Sequence, residues 1–178
     1  MIYLFLGLDT YRIKKEIKEL TKKSEADLYR LDLEEDGFSK IKLLAGSGSL
    51  FSRKKILVVE KANLIQPKEL SDFLSGGKNS EDTIVFWDEK IESEKLQIFK
   101  DSKIKIQEFK NLTGQQLKNW IAEEAKQRGL RLFPAHLERL ENIGSDLWAV
   151  SNELDKMLVE DGSTGSPHNI LSLSKDYQ

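Results

Sequence analysis

Ile2-Tyr3-Leu4-Phe5-Leu6-Gly7-Leu8-Asp9-Thr10-Tyr11 opens the chain. The apolar run Ile2 to Leu6 predicts a buried strand, and Gly7-Leu8-Asp9 the turn after it. From Tyr11 to Lys22 the period changes, with Ile13, Ile17 and Leu20 recurring on one helical face. Asp9 or Thr10 is placed to cap that helix. Strand, tight turn and amphipathic helix form the first half of a βαβ unit, and the rest of the chain repeats the alternation.

Working outward, Leu28 to Leu33 predicts a second strand of mixed character, and Phe38, Ile41, Leu44 and Ala45 a second helical stripe. Ile56-Leu57-Val58-Val59 is a third strand, apolar on both faces. Pro67 suits the first turn of a helix carrying Leu70, Phe73 and Leu74, closed by Gly76-Gly77. Thr83 to Trp87 predicts a fourth strand, and Glu92 to Lys100 a short helix with Leu96 and Phe99. Ile104 to Phe109 alternates apolar and polar residues, as a strand nearer a sheet edge does. This order predicts an α/β fold: a mostly parallel sheet flanked by helices, with right-handed crossovers.

The pattern changes near residues 110–113. Thr113 with Gln116 spells a capping box. Leu117, Trp120, Ile121 and Ala125 follow at helical spacing, and Gly129 suits the helix end. Pro134 opens a helix with Leu137 and Leu140 that stops near Gly144; Leu147, Val150, Leu154, Met157 and Leu158 line a third. A small helical domain, 112–178, therefore follows an α/β domain, 1–111. From Asp161 the chain is rich in Gly and Ser and reads as a loop.

Composition bounds the function. The chain has 178 residues, 39% apolar and 33% charged, with a formal net charge of -2, as a soluble globular protein has. No global charge draws it to nucleic acid or an anionic membrane. With no cysteine there is no disulfide, thiol nucleophile or cysteine-based zinc site. The apolar N-terminus lacks a basic region and a cleavage site, so it is not read as a signal peptide, and no run is long enough to span a bilayer. The expected location is the cytoplasm.

Most candidate chemistry fails on its own terms. A strand followed by a turn and a helix invites a phosphate, but Gly7-Leu8-Asp9-Thr10-Tyr11 has neither the glycine cradle nor the lysine of G-x-x-x-x-G-K-[ST], and Asp9 would repel an anion. Gly46-Ser47-Gly48-Ser49 follows no strand and reads as a hinge. Ile84-Val85-Phe86-Trp87-Asp88-Glu89 resembles a magnesium-binding strand end, but such a carboxylate serves only beside a phosphate cradle, so Asp88 and Glu89 read as surface acids; Glu60 meets the same objection. His136 and His168 lie far apart, and no Gly-x-Ser-x-Gly elbow supports a triad. No catalytic, metal or cofactor-binding residue is assigned. The basic clusters Lys14-Lys15, Lys22-Lys23 and Arg53-Lys54-Lys55 are solvated faces by default.

Ser49-Leu50-Phe51-Ser52-Arg53 stands apart. Two large apolar residues sit side by side between small polar residues and a basic run. Adjacent residues on a helix do not share a face, so Leu50 and Phe51 cannot both turn into one core. Either one plugs the base of the domain, or the pair forms an exposed wedge for a partner.

Four motifs stand in order: the opening strand with Gly7-Leu8-Asp9-Thr10-Tyr11; Gly48-Ser49-Leu50-Phe51-Ser52-Arg53-Lys54 running into Ile56 to Val59; Leu117 with Trp120-Ile121, Ala125 and Gly129; and Gly144, Asp146-Leu147 and Asn152-Glu153-Leu154-Asp155-Lys156-Met157. Together they resemble the delta subunit of the bacterial DNA polymerase III clamp loader. The resemblance implies a degenerate AAA+ (P-loop NTPase-like) α/β domain without a working nucleotide site, followed by a helical lid. The family's C-terminal collar domain has no counterpart here. Leu50 and Phe51 match the family's pair that enters a pocket on the sliding clamp, the beta subunit; Ser49, Ser52, Arg53 and Lys54 would rim it. The implied role is a clamp-opening subunit with no chemistry and no cofactor of its own. Its implied partners are the clamp, the ATP-hydrolysing motor subunits and delta-prime, with DNA reached through the complex. The delta-prime subunit itself is disfavoured, because its zinc module and Ser-Arg-Cys motif need cysteine. An AAA+-type ATPase and a DNA-binding scaffold are the alternatives.

Overall fold

A computed structural model describes residues 1–46, 54–76 and 82–160. The chain folds as two compact units, Met1–Lys110 and Asn111–Gln178.

The first unit is built on five strands, β1 (Ile2–Leu6), β2 (Asp27–Asp32), β3 (Lys55–Glu60), β4 (Thr83–Asp88) and β5 (Lys105–Glu108). They lie in the order β2-β3-β4-β1-β5, and every pair is parallel. Their helices are α1 (Thr10–Ser24), α2 (Leu33–Gly46), α3 (Pro67–Ser75) and α4 (Ser93–Asp101). Side chains alternate across a strand, so each strand feeds two cores. Tyr3, Phe5, Ile56, Val58 and Val85 pack with Ile13 and Ile17 of α1. Ile2, Leu4, Leu57, Val59, Ile84 and Phe86 pack with Phe38, Ile41, Leu70, Leu74 and Phe99 of α2, α3 and α4. On that second face Phe38, Phe73, Phe86 and Phe99 form an edge-to-face chain with centroids 5.4, 6.1 and 5.4 Å apart. The connection through α1 runs one way across the sheet, and those through α2, α3 and α4 run the other way. One constant hand of crossover puts α1 alone on its face, as observed.

One local reading changes here. Leu33, read above as the end of the second strand, opens α2, and non-helical Gly37 (φ 69°) interrupts the helix after the turn Leu33-Glu34-Glu35-Asp36. Asp36 accepts the Asp32 N–H (3.0 Å) and Asp32 accepts the Glu34 N–H (2.9 Å), so this reciprocal cap ends the strand one residue early.

The second unit holds α5 (Gly114–Gln127), α6 (Pro134–Ile143) and α7 (Leu147–Glu160), each packed on the other two. Leu117, Ile121, Ala125, Leu140, Leu147, Val150 and Leu154 are among its buried residues. The capping box does not form. Gly114, at φ 52°, leaves the helical region at the first position, and the Gln116 N–H goes to the Thr113 main-chain carbonyl (3.2 Å). At the other end Gly129 is left-handed (φ 73°). Its N–H donates to Lys126 (3.0 Å) and that of Leu130 to Ala125 (2.9 Å), a Schellman ending. The buried Arg128 guanidinium ties α5 to α7 through Ser151 Oγ (2.7 Å) and Asp155 (3.3 Å), with Glu124 of its own helix at 3.5 Å.

Candidate functional site

In an open parallel sheet a ligand crevice lies at the carboxyl ends of the strands where the chain reverses its direction of travel. Here that point is β1, between β4 and β5. The β1–α1 turn is held down on all sides. The Gly7 N–H donates to the Asp88 carbonyl (3.1 Å) and the Asp9 N–H to the Phe109 carbonyl (3.3 Å), while the Phe109 N–H donates to Leu6 (2.7 Å). Gly7 sits at φ 132°, and a Cβ there would lie 2.3 Å from the Phe109 carbonyl oxygen. The N-terminus of α1, where a phosphate would bind, faces a carboxylate instead. Asp9 Oδ1 accepts the Arg12 N–H (3.0 Å), and Oδ2 pairs with the Arg12 guanidinium.

The strand-end acids have structural partners. Asp88, read above as a surface acid, is partly buried and accepts the N–H groups of Asn63 (2.9 Å) and Glu89 (2.7 Å). The Asn63 side chain accepts the Glu92 N–H (2.9 Å), and buried Lys95 donates to the Asn63 carbonyl and pairs with Glu92 (3.0 Å). Asp88 thus anchors the connection after β3 to the end of β4, and Asn63 and Lys95 tie that connection to the start of α4. Nothing in the apolar stripe of α4 flags Lys95; its role depends on a loop 32 positions away.

Glu60, at the end of β3, lies 3.5 Å from Arg30. Burial pushes its carboxyl up, against the pull of Arg30. Lys14 nearby is pushed down, by burial first and then by Arg30. Among the described residues no three His, Asp or Glu side chains converge as metal ligands do. His136 stacks edge-on against Phe133, with centroids 5.4 Å apart.

Ser49, Leu50, Phe51, Ser52 and Arg53 lie outside the described residues, as does His168. Their borders are described. Residues 47–53 join the end of α2 to the start of β3. Lys55 spans these borders, its Nζ donating to the Leu44 carbonyl (3.5 Å) and its N–H to Asp82 (3.0 Å). Lys54 is exposed, and its carbonyl accepts the Asp27 N–H (2.9 Å). Leu43, in the last turns of α2, is 71% exposed. The helical stripe counted only the buried side of α2 and passed over it.

The family model for the delta subunit of DNA polymerase III matches residues 3–100. The chain belongs to the DNA polymerase III delta subunit family. That match spans the β1–α1 turn, the 49–53 segment and all of β3 and β4. Among solved structures, the Bacillus subtilis DNA clamp loader delta protein superposes with a TM-score of 0.62 at 17% identity. The superposition covers 90% of this chain and 53% of that one. Domain III of the Thermotoga maritima replication initiation protein DnaA superposes with a TM-score of 0.50 at 14% identity, covering 99% of this chain and 83% of that one. At these identities the likeness is one of fold. This delta-family chain has an AAA+-like fold and spans about half the length of the B. subtilis protein. No curated protein matches it significantly. Among the described residues, no helix is long and apolar enough to cross a membrane.

Proposed function

We propose that this delta-family chain is a clamp-loader component that binds the sliding clamp through Leu50 and Phe51 and favours its open form. Family membership over residues 3–100 carries the reading, because the matched region includes the Leu-Phe pair. Exposed Leu43 adds apolar surface beside the same connection. Ser49, Ser52, Arg53 and Lys54 form the rim; the two cations set association rate and salt dependence more than affinity. The clamp, the motor subunits and delta-prime are the partners, DNA is reached through the assembly, and the compartment is the cytoplasm.

The step is conformational. A ligand that binds the open ring better than the closed one shifts the population toward the open form. This chain supplies no chemistry and holds no nucleotide of its own; ATP turnover lies with its partners. The Asp9 carboxylate on the first turn of α1, and the closure of the Gly7 turn over Phe109, support that assignment.

Calorimetric titration of the clamp tests it. Burying an apolar side chain of this size is worth roughly 1.5–3 kcal/mol, so Leu50→Ala/Phe51→Ala is expected to weaken binding about 100-fold or more with the fold intact. Equal affinity of wild type and variant would overturn the assignment of the tip.

A further inference from the structure

The Asp9–Arg12 pair reaches beyond its own helix. Arg12 makes three contacts of different kind: its Nε pairs with Asp9, its Nη2 donates to the Lys110 carbonyl, and its guanidinium stands over the Phe109 ring at 5.9 Å. Lys110 is the last residue of the first unit. Its ammonium points elsewhere, to Glu108 (2.9 Å), and its side chain is 84% exposed. The main chain is gripped and the side chain left in solvent. Phe109 is held a second time from the turn, since its carbonyl accepts the Asp9 N–H and its backbone lies against Gly7.

We infer that Arg12 is a positioning residue that fixes, without any ligand, the direction in which the chain leaves the first unit. In phosphate-binding α/β folds the first turn and the helix behind it hold the ligand. Here the same groups hold the protein's own backbone. A planar guanidinium suits this, because its fork donates to a carboxylate and a carbonyl at once while its face lies on an aromatic ring. A lysine at position 12 supplies the charge without the fork. The grip is built from side chains of the chain itself, so its strength does not follow nucleotide concentration. This inference stands apart from the assignment of Leu50 and Phe51, and loss of either leaves the other intact.

Trypsin reads the grip directly. Cleavage after Lys110 requires the protease to take up the carbonyl that Arg12 holds, which needs local release of the backbone. Lys90 and Lys103 are exposed and lie between elements of the same unit, so the bonds after them serve as internal references. The full chain is digested, and initial rates at the three bonds are followed by mass spectrometry. Arg12→Ala is expected to speed cleavage of Lys110–Asn111 by about tenfold, the scale of one charge-assisted hydrogen bond, with the reference bonds unchanged. Arg12→Lys is expected to fall between the two and carries the test alone if the alanine variant does not fold. Magnesium ATP is expected to leave all rates of the wild type unchanged. An unaltered rate at Lys110, an equal rise at all three bonds, or ATP-dependent protection of Lys110 would overturn the inference.

Discussion

At Gly7 a hydrogen stands where any other residue would place a carbon 2.3 Å from the Phe109 carbonyl oxygen, and the backbone is at φ 132°. Gly7→Ala is therefore expected to destabilise the first unit by about 2–4 kcal/mol, read from urea unfolding. An unchanged midpoint would mean that the turn relaxes away from β5 at little cost. The sequence marked Gly7 as a tight turn and offered Asp9 as a cap, because both signals are local. It carried no sign of Arg12 reaching Lys110. That contact spans 98 positions and arises only because parallel pairing lays β5 beside β1.

At the scale of elements, hydrophobic period and punctuation placed the strands and helices, and the errors fell where side chains bond to backbone. Asp32 shows this. Lys61 donates to its carboxylate at 2.9 Å, and this bond holds Asp32 below the usual aspartate range; the Glu34 N–H adds to the effect. Because the folded chain then binds that proton less readily than the unfolded one, the stabilisation is present above about pH 4 and is lost as the pH falls through the aspartate range. Asp32→Asn should melt at a lower temperature than wild type at pH 7, and the two curves should converge toward pH 3. A constant gap across that range would assign the loss to packing rather than charge. The pair was illegible in the sequence because Asp32 ends β2 and Lys61 follows the end of its neighbour β3, and the two strands are distant in the chain. The failed capping box has a similar origin: Thr113 and Gln116 have the right spacing, and the φ of Gly114 cancels it.

For the molecule as a whole, strand order was the quantity the sequence could not supply. Alternating βα units imply a parallel sheet, but the insertion of β1 between β4 and β5 is a matter of tertiary pairing. That order makes the β1–α1 turn the natural ligand crevice, where Asp9, Asp88 and the Phe109 carbonyl meet. The four ordered motifs carried the family, and the match over residues 3–100 covers the first two of them. The described residues on either side of 47–53 are the end of α2 and the paired start of β3, tied to each other through Lys55 and the Leu44 carbonyl. The most direct measurement is release of the clamp from nicked circular DNA, followed with this chain added and no ATP present. The account expects the wild-type chain to speed release and Leu50→Ala/Phe51→Ala to lose that effect; release no faster than without the chain, or faster only when ATP is supplied, would contradict it.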